Sequence, residues 1–103
     1  MNAFKAIIVE EMQSILSELW HEIQSMKNEP KLMGIKGDID WLETCTHMLF
    51  DDLDYYMEGK EVLHVSINST ITRMEGIINK EVNNKLVSMN YYTRYLLTQF
   101  KRL

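Results

Sequence analysis

The stretch Glu61-Val62-Leu63-His64-Val65-Ser66-Ile67-Asn68-Ser69-Thr70-Ile71-Thr72 decides the fold class, because it reads two ways. It is rich in β-branched residues and puts Leu63, Val65, Ile67 and Ile71 on alternate positions, as a strand would. The same segment opens a helical series, Leu63, Ile67, Ile71, Met74, Ile78, Val82, Leu86, Met89, Tyr92, Leu96, Phe100 and Leu103, at steps of three and four. No other segment offers a strand to pair with it, and a lone strand leaves its backbone donors and acceptors unsatisfied. The segment is therefore read as helix, and the chain as all-α.

Unbroken, a helix from residue 61 to the C-terminus would reach about 64 Å, against a radius of gyration of ~13 Å for a compact domain of this size. A break is expected at Asn83-Asn84, or next at Ser88 to Asn90, since asparagine favours turns and caps over helix interiors. Towards the N-terminus, residues 3–27 place Phe4, Ile8, Met12, Ile15, Leu19, Ile23 and Met26 on one face, and Asn28-Glu29-Pro30 ends that helix. The segment to Gly37 leads to a second helix over roughly 39–58, with Leu42, Cys45, Leu49, Leu53 and Tyr56 inward. Asp40 or Asp38 is the expected N-cap and Gly59 the left-handed C-cap. The expectation is one domain over residues 1–103, an antiparallel bundle of three to four helices. If the last two helices stay continuous, a second copy completes the core by dimerisation.

Apolar residues make up 46% and charged residues 25% of the chain, the balance of an ordinary globular domain. The longest N-terminal apolar run, Ala6-Ile7-Ile8-Val9, is far short of the ~18 residues of a membrane span, and Glu10 and Glu11 follow where an export signal stays apolar. Cys45 is the one cysteine, so neither an internal disulfide nor a multi-thiolate zinc site can form, and a cytoplasmic location with no membrane contact is expected. The net charge of −4 is unevenly spread: residues 1–58 carry 4 Lys or Arg against 12 Asp or Glu, and residues 59–103 carry 7 against 3. Such polarity fits helices that complement one another within a bundle or across a dimer.

Each histidine follows a glutamate at helical spacing: Glu18 and His21, Glu43 and His47, Glu61 and His64. Glu-x-x-His is the spacing of carboxylate-bridged metal sites, where both side chains project into a bundle. On a helical wheel with Leu19 at the centre of the core face, Glu18 lies about a quarter-turn away and His21 almost opposite, so His21 points away from the core. On the second helix, with Leu49 at the centre, Glu43 lies a third of a turn round and His47 nearly opposite, beside Asp54, Glu58 and Asp51 on an outer acidic stripe. Only His64, close to the direction of Ile71 on the wheel, approaches an apolar face, where it is expected at the core boundary. No Asp or Glu follows Glu81, so a fourth helix supplies no bridging carboxylate. No metal and no cofactor are expected.

Glu18 with Glu22, and Asp51 with Asp54, resemble the Glu-x-x-Glu and Glu-x-x-Asp pairs with which nucleotide pyrophosphohydrolases of the MazG type hold magnesium on facing helices. The resemblance implies an all-α, metal-dependent enzyme, and this is the alternative function. The first pair is four apart rather than three, the second uses the shorter acid, and Asp51 and Asp54 fall on the outer stripe, where octahedral convergence on one ion is hard to reach. Phosphate loops and nucleophile elbows are missing, and Cys45 sits on a core face as packing, so no enzyme is expected.

What remains is surface chemistry. Lys85, Arg94, Lys101 and Arg102 alternate with Tyr91, Tyr92, Tyr95 and Phe100 near the C-terminus, a weak nucleic-acid footprint and a second alternative. The stronger surface is the acidic stripe of the second helix, together with Glu10, Glu11, Glu18 and Glu22 on the first. Trp20 and Trp41 flank their core stripes, each about a quarter-turn from the centre, where amphipathic rings anchor contacts. The expected function is a non-enzymatic, regulatory or inhibitory interaction protein, also forming a homo-oligomer. Trp20, Trp41, Asp51, Asp54, Tyr55 and Glu58 are the partner-binding residues.

Overall fold

The first helix, α1 (Ala3–Lys27), runs the full length of its periodic segment. Asn2 caps it by accepting the Lys5 amide at 2.8 Å, satisfying one of the donors that a helix start leaves open. In this computed structural model, which describes residues 2–62, 64–80 and 86–103, Pro30–Ile35 forms a 3-10 helix that leads directly into α2 (Lys36–Met57). The expected capping box is not used. Ile35 occupies the cap position without a side-chain bond, and Asp38 lies in the first turn. The other end matches expectation: Gly59 has φ +79°, its amide donates to Tyr56, and the Lys60 amide donates to Tyr55, the paired bonds of a Schellman cap.

The ambiguous segment is helical from His64 onward; Glu61 and Val62 precede the helix, and Leu63 and Val82 of the expected series lie outside the described residues. α3 (His64–Lys80) buries Ile67, Thr70, Ile71, Met74, Ile77 and Ile78. Thr70 stays in the helix by returning its hydroxyl to the Ser66 carbonyl at 3.0 Å, which gives a buried β-branched residue a partner without leaving helical geometry. A short 3-10 turn, Val87–Met89, precedes α4 (Asn90–Phe100), so the second of the two expected breaks is present. The first, at Asn83-Asn84, lies outside the described residues. The longest dimension is 45 Å, shorter than a continuous final helix requires.

Side-chain contacts fix the topology. Gln13 meets Asp54 and Lys27 meets Glu43, so α1 and α2 are antiparallel. Lys80 pairs with Asp38 while His64 meets Tyr56, which makes α3 antiparallel to α2. Tyr92 meets Glu22, Arg102 meets Glu11, and His64 meets Phe100, so α4 runs against both α1 and α3. The four α-helices pack in an up-down-up-down ring around one core.

That core contains Met12, Leu16, Leu19 and Ile23 from α1, Leu42, Leu49 and Leu53 from α2, Ile71 and Met74 from α3, and Leu96 from α4, all fully buried. Each such side chain contributes about 1.5–3 kcal/mol through removal from water. Helix α1 is rotated slightly from its expected face: Val9 and Leu16 go inside, Ile15 is half-buried, and Phe4 is 56% exposed beneath the Arg102 guanidinium. Among the described residues no helix is long and apolar enough to cross a membrane.

Candidate functional site

Helix α2 concentrates the chain's negative charge: between Lys36 and Met57 stand six carboxylates and that single lysine. The helix has α1 on one flank and α3 on the other, and each flank handles its polar groups differently. Towards α1, Glu43 accepts two bonds from Lys27, at 2.9 and 3.0 Å, and one from Gln24. These donors stabilise the charged carboxylate, the Lys27 contact foremost, and hold Glu43 below the usual glutamate range. Glu43 is thus a clamp between helices rather than part of a free stripe. Further along, the Gln13 side chain donates to Asp54 at 2.7 Å.

The outermost ridge of α2 carries His47, Asp51 and Glu58. His47 Nε2 lies 3.4 Å from Asp51, one turn on. The Schellman turn brings Lys60 back over the helix end, where its ammonium sits 2.9 Å from Glu58 and 5.0 Å from the centre of the Tyr55 ring. Trp41, Met48 and Tyr55 are seven residues apart and therefore on one line, each between 44% and 47% exposed, with Trp41 turned towards Arg73 of α3. The Arg73 guanidinium covers Trp41 at 5.7 Å. Asp52 falls on the same side of the wheel, and burial followed by the charge of Asp51 pushes its carboxyl above the usual aspartate range.

The six partner-binding residues expected from sequence therefore share one helix surface only in part. Asp51, Asp54, Tyr55 and Glu58 occupy the C-terminal end of α2 and its cap. Trp41 lies in the α2/α3 groove. Trp20 comes from α1 into the opposite groove, half-buried, with its indole 6.3 Å from the His47 ring. Two of its expected acidic neighbours are elsewhere: Glu11 reaches Arg102 at 4.0 Å, and Glu22 accepts the Tyr92 hydroxyl at 2.6 Å, both in the α1/α4 groove. These acids of α1 serve α4, so the densest outward negative face belongs to α2.

Sequence reasoning missed a concavity. Leu16, Ser17, Trp20, Thr46, His47 and Phe50 line a cavity of about 170 Å³ between α1 and α2. A shallower one of about 280 Å³ adjoins it through Trp20 and His47 and extends to Glu43, Thr44 and Met48. Small residues at Ser17 and Thr46 opposite large ones at Trp20 and Phe50 are the signal that could have located it, once the two helices were paired.

Other candidates resolve into structural roles. Tyr92 is 7% exposed, and burial together with its bond to Glu22 raises its phenol well above the ordinary range. Glu22 and Asp54 face different grooves, so the MazG-like carboxylate pairs do not converge. Among the described residues no three His, Cys, Asp or Glu side chains are grouped to hold a metal ion. His64 is exposed but lies against two rings, 5.9 Å from Tyr56 and 5.5 Å from Phe100. Cys45 is 1% exposed and its thiol is pushed up by burial, as suits a packing residue. Of the basic and aromatic groups near the C-terminus, Arg102 binds Gln99 and Glu11, Arg94 is exposed one turn from exposed Tyr91 on α4, Lys101 is exposed beyond the helix end, and Lys85 lies outside the described residues. No family model, curated protein or solved structure matches the chain.

Proposed function

We propose that this is a non-enzymatic interaction protein that acts by docking the outward face of α2 against a basic surface on a larger protein, regulating or inhibiting that partner. The observation that carries the reading is the coincidence, on α2 and its cap, of the outward carboxylates Asp51, Asp54 and Glu58 with the exposed line Trp41, Met48 and Tyr55. Aromatic and methionine side chains supply contact area, while charges of one sign steer approach and set specificity. The cytoplasm, where Cys45 stays reduced, is the compartment that fits.

A symmetric dimer through the same face is disfavoured, because it would bring Asp51, Asp54 and Glu58 against their own copies. Homo-oligomers, if formed, use another side of the bundle. The test is capture from extracts of the native host on the immobilised chain. The wild-type chain retains a partner that salt releases, and the double variant Asp51→Lys, Asp54→Lys, with unchanged helical circular dichroism, retains none. Equal retention by both would eliminate the charge-based reading.

A further inference from the structure

Several side chains of the α2 face already have contacts within the chain, while Asp54 is exposed and the Asp51 side chain is 49% exposed. Lys60 covers Tyr55 and pairs with Glu58, Arg73 covers Trp41, and Gln13 binds Asp54. The Trp20 cavity differs, because it is concave and lined largely by apolar groups. Its floor is Leu16, fully buried, with Phe50 and the Trp20 indole as walls. Thr46 is its most enclosed polar group, and that hydroxyl is spent on the Leu42 carbonyl at 2.7 Å. The floor therefore asks for no hydrogen bond, and the group that fills it should be apolar. At about 170 Å³ the space is close to the ~150 Å³ of an engineered cavity that takes benzene.

Charge identifies what carries that group. Asp51 and Asp54 stand one and two turns along α2 from His47 at the cavity mouth, roughly 6 and 10 Å away along the axis. We infer that the α1/α2 groove is an anchor pocket for a basic amphipathic segment of the protein partner: one phenylalanine or leucine side chain enters beside Trp20, and lysine or arginine one to two turns from it meets Asp51 and Asp54. This rests on the acidic-face reading and adds a specific seat to it. Buried apolar anchors ringed by charge are how interfaces concentrate their affinity.

Two synthetic peptides test it: a lysine and alanine helix with one central phenylalanine, and the same helix with alanine at that place. Both are titrated into the full-length, nitrogen-15-labelled protein while the two indole N–H signals are followed. The phenylalanine peptide binds on the order of tenfold or more tightly than its alanine twin, as expected for burying one ring, and moves the Trp20 signal rather than that of Trp41. Ser17 is exposed at the rim, so Ser17→Leu plugs the pocket from outside and abolishes the difference, leaving weak binding of the alanine peptide intact.

Equal binding of the two peptides, or indifference to Ser17→Leu, overturns the anchor pocket while the acidic face stands. Failure of both peptides to bind removes the acidic-face reading itself. Tyr91 and Arg94 on α4 have similar chemistry, so salt-sensitive self-association that Tyr91→Ala and Ser17→Leu each abolish would assign the pocket to a second copy and overturn the inference.

Discussion

The two flanks of α2 solve the same problem with opposite means. Towards α1, polar side chains bridge the helices directly: Gln13, Gln24 and Lys27 each reach an α2 carboxylate, and Phe50 packs against the core between them. Towards α3, the Arg73 guanidinium lies over Trp41, and Lys80, whose side chain is 69% exposed, pairs at 3.6 Å with Asp38, whose side chain is 24% exposed. The first flank is fastened at both ends yet leaves a cavity in the middle. The second is held mainly by apolar packing and presents its aromatic line outward. Fastening frees a groove to be shaped, whereas a flank held by packing has to close.

The largest contrast should come from removing one ring on each flank. Phe50→Ala deletes a half-buried side chain that packs on the core, and about 2 kcal/mol of stability should be lost in urea denaturation, less than for a fully buried ring. Trp41→Ala removes more atoms, yet its ring is 44% exposed and its Arg73 contact contributes about 0.5–1 kcal/mol. Its loss should be about 1 kcal/mol. If the two losses are equal, the flanks do not differ as described.

Much of this architecture is legible in the sequence because helical periodicity carries through it. The inward series of α2 and α3 are largely buried as read, Gly59 caps where left-handed geometry requires it, and the wheel correctly turns His21 and His47 to the outside. Three things were hidden. The α1 face is broad enough that Leu16 is fully buried and Ile15 only partly, a choice made by neighbouring helices. The start of α2 has no side-chain signal because a 3-10 helix leads directly into it. The division of acids between grooves, Glu22 to Tyr92 and Glu43 to Lys27, depends on which helix lies alongside, and spacing along one helix cannot state that.

The polar clamp is the next smaller effect. Glu43→Gln keeps the shape but weakens the bonds from Lys27 and Gln24, and about 1 kcal/mol should be lost at neutral pH. Asp38→Asn on the opposite flank weakens a single longer contact, at 3.6 Å, to a lysine whose side chain is 69% exposed, and should change stability by less than about 0.5 kcal/mol. The two variants also differ in pH dependence. Because the folded chain holds Glu43 below its unfolded value, its contribution is complete above the ordinary glutamate range and disappears as pH falls through the depressed value. Acid titration of stability should show this component in the wild type and lose it in Glu43→Gln.

Asp52 gives the smallest effect and the opposite sign. Burial and the adjacent charge of Asp51 raise its carboxyl in the folded chain, so between the ordinary aspartate value and the raised one the folded state binds more protons than the unfolded. Stability from this group therefore falls as pH rises through that window, and at neutral pH the ionised carboxylate is a small liability. Asp52→Asn removes it, and the variant should be more stable than the wild type by a few tenths of a kcal/mol at neutral pH, with the gain vanishing in acid. Asp51→Asn acts on the second cause alone and should recover part of the gain. Paired urea titrations at neutral and acidic pH decide the matter: a gain that persists in acid would mean that Asp52 is limited by packing rather than charge. A gain confined to neutral pH would mean that one helix holds a carboxylate on each flank, with its charge favoured only where α1 supplies the donors.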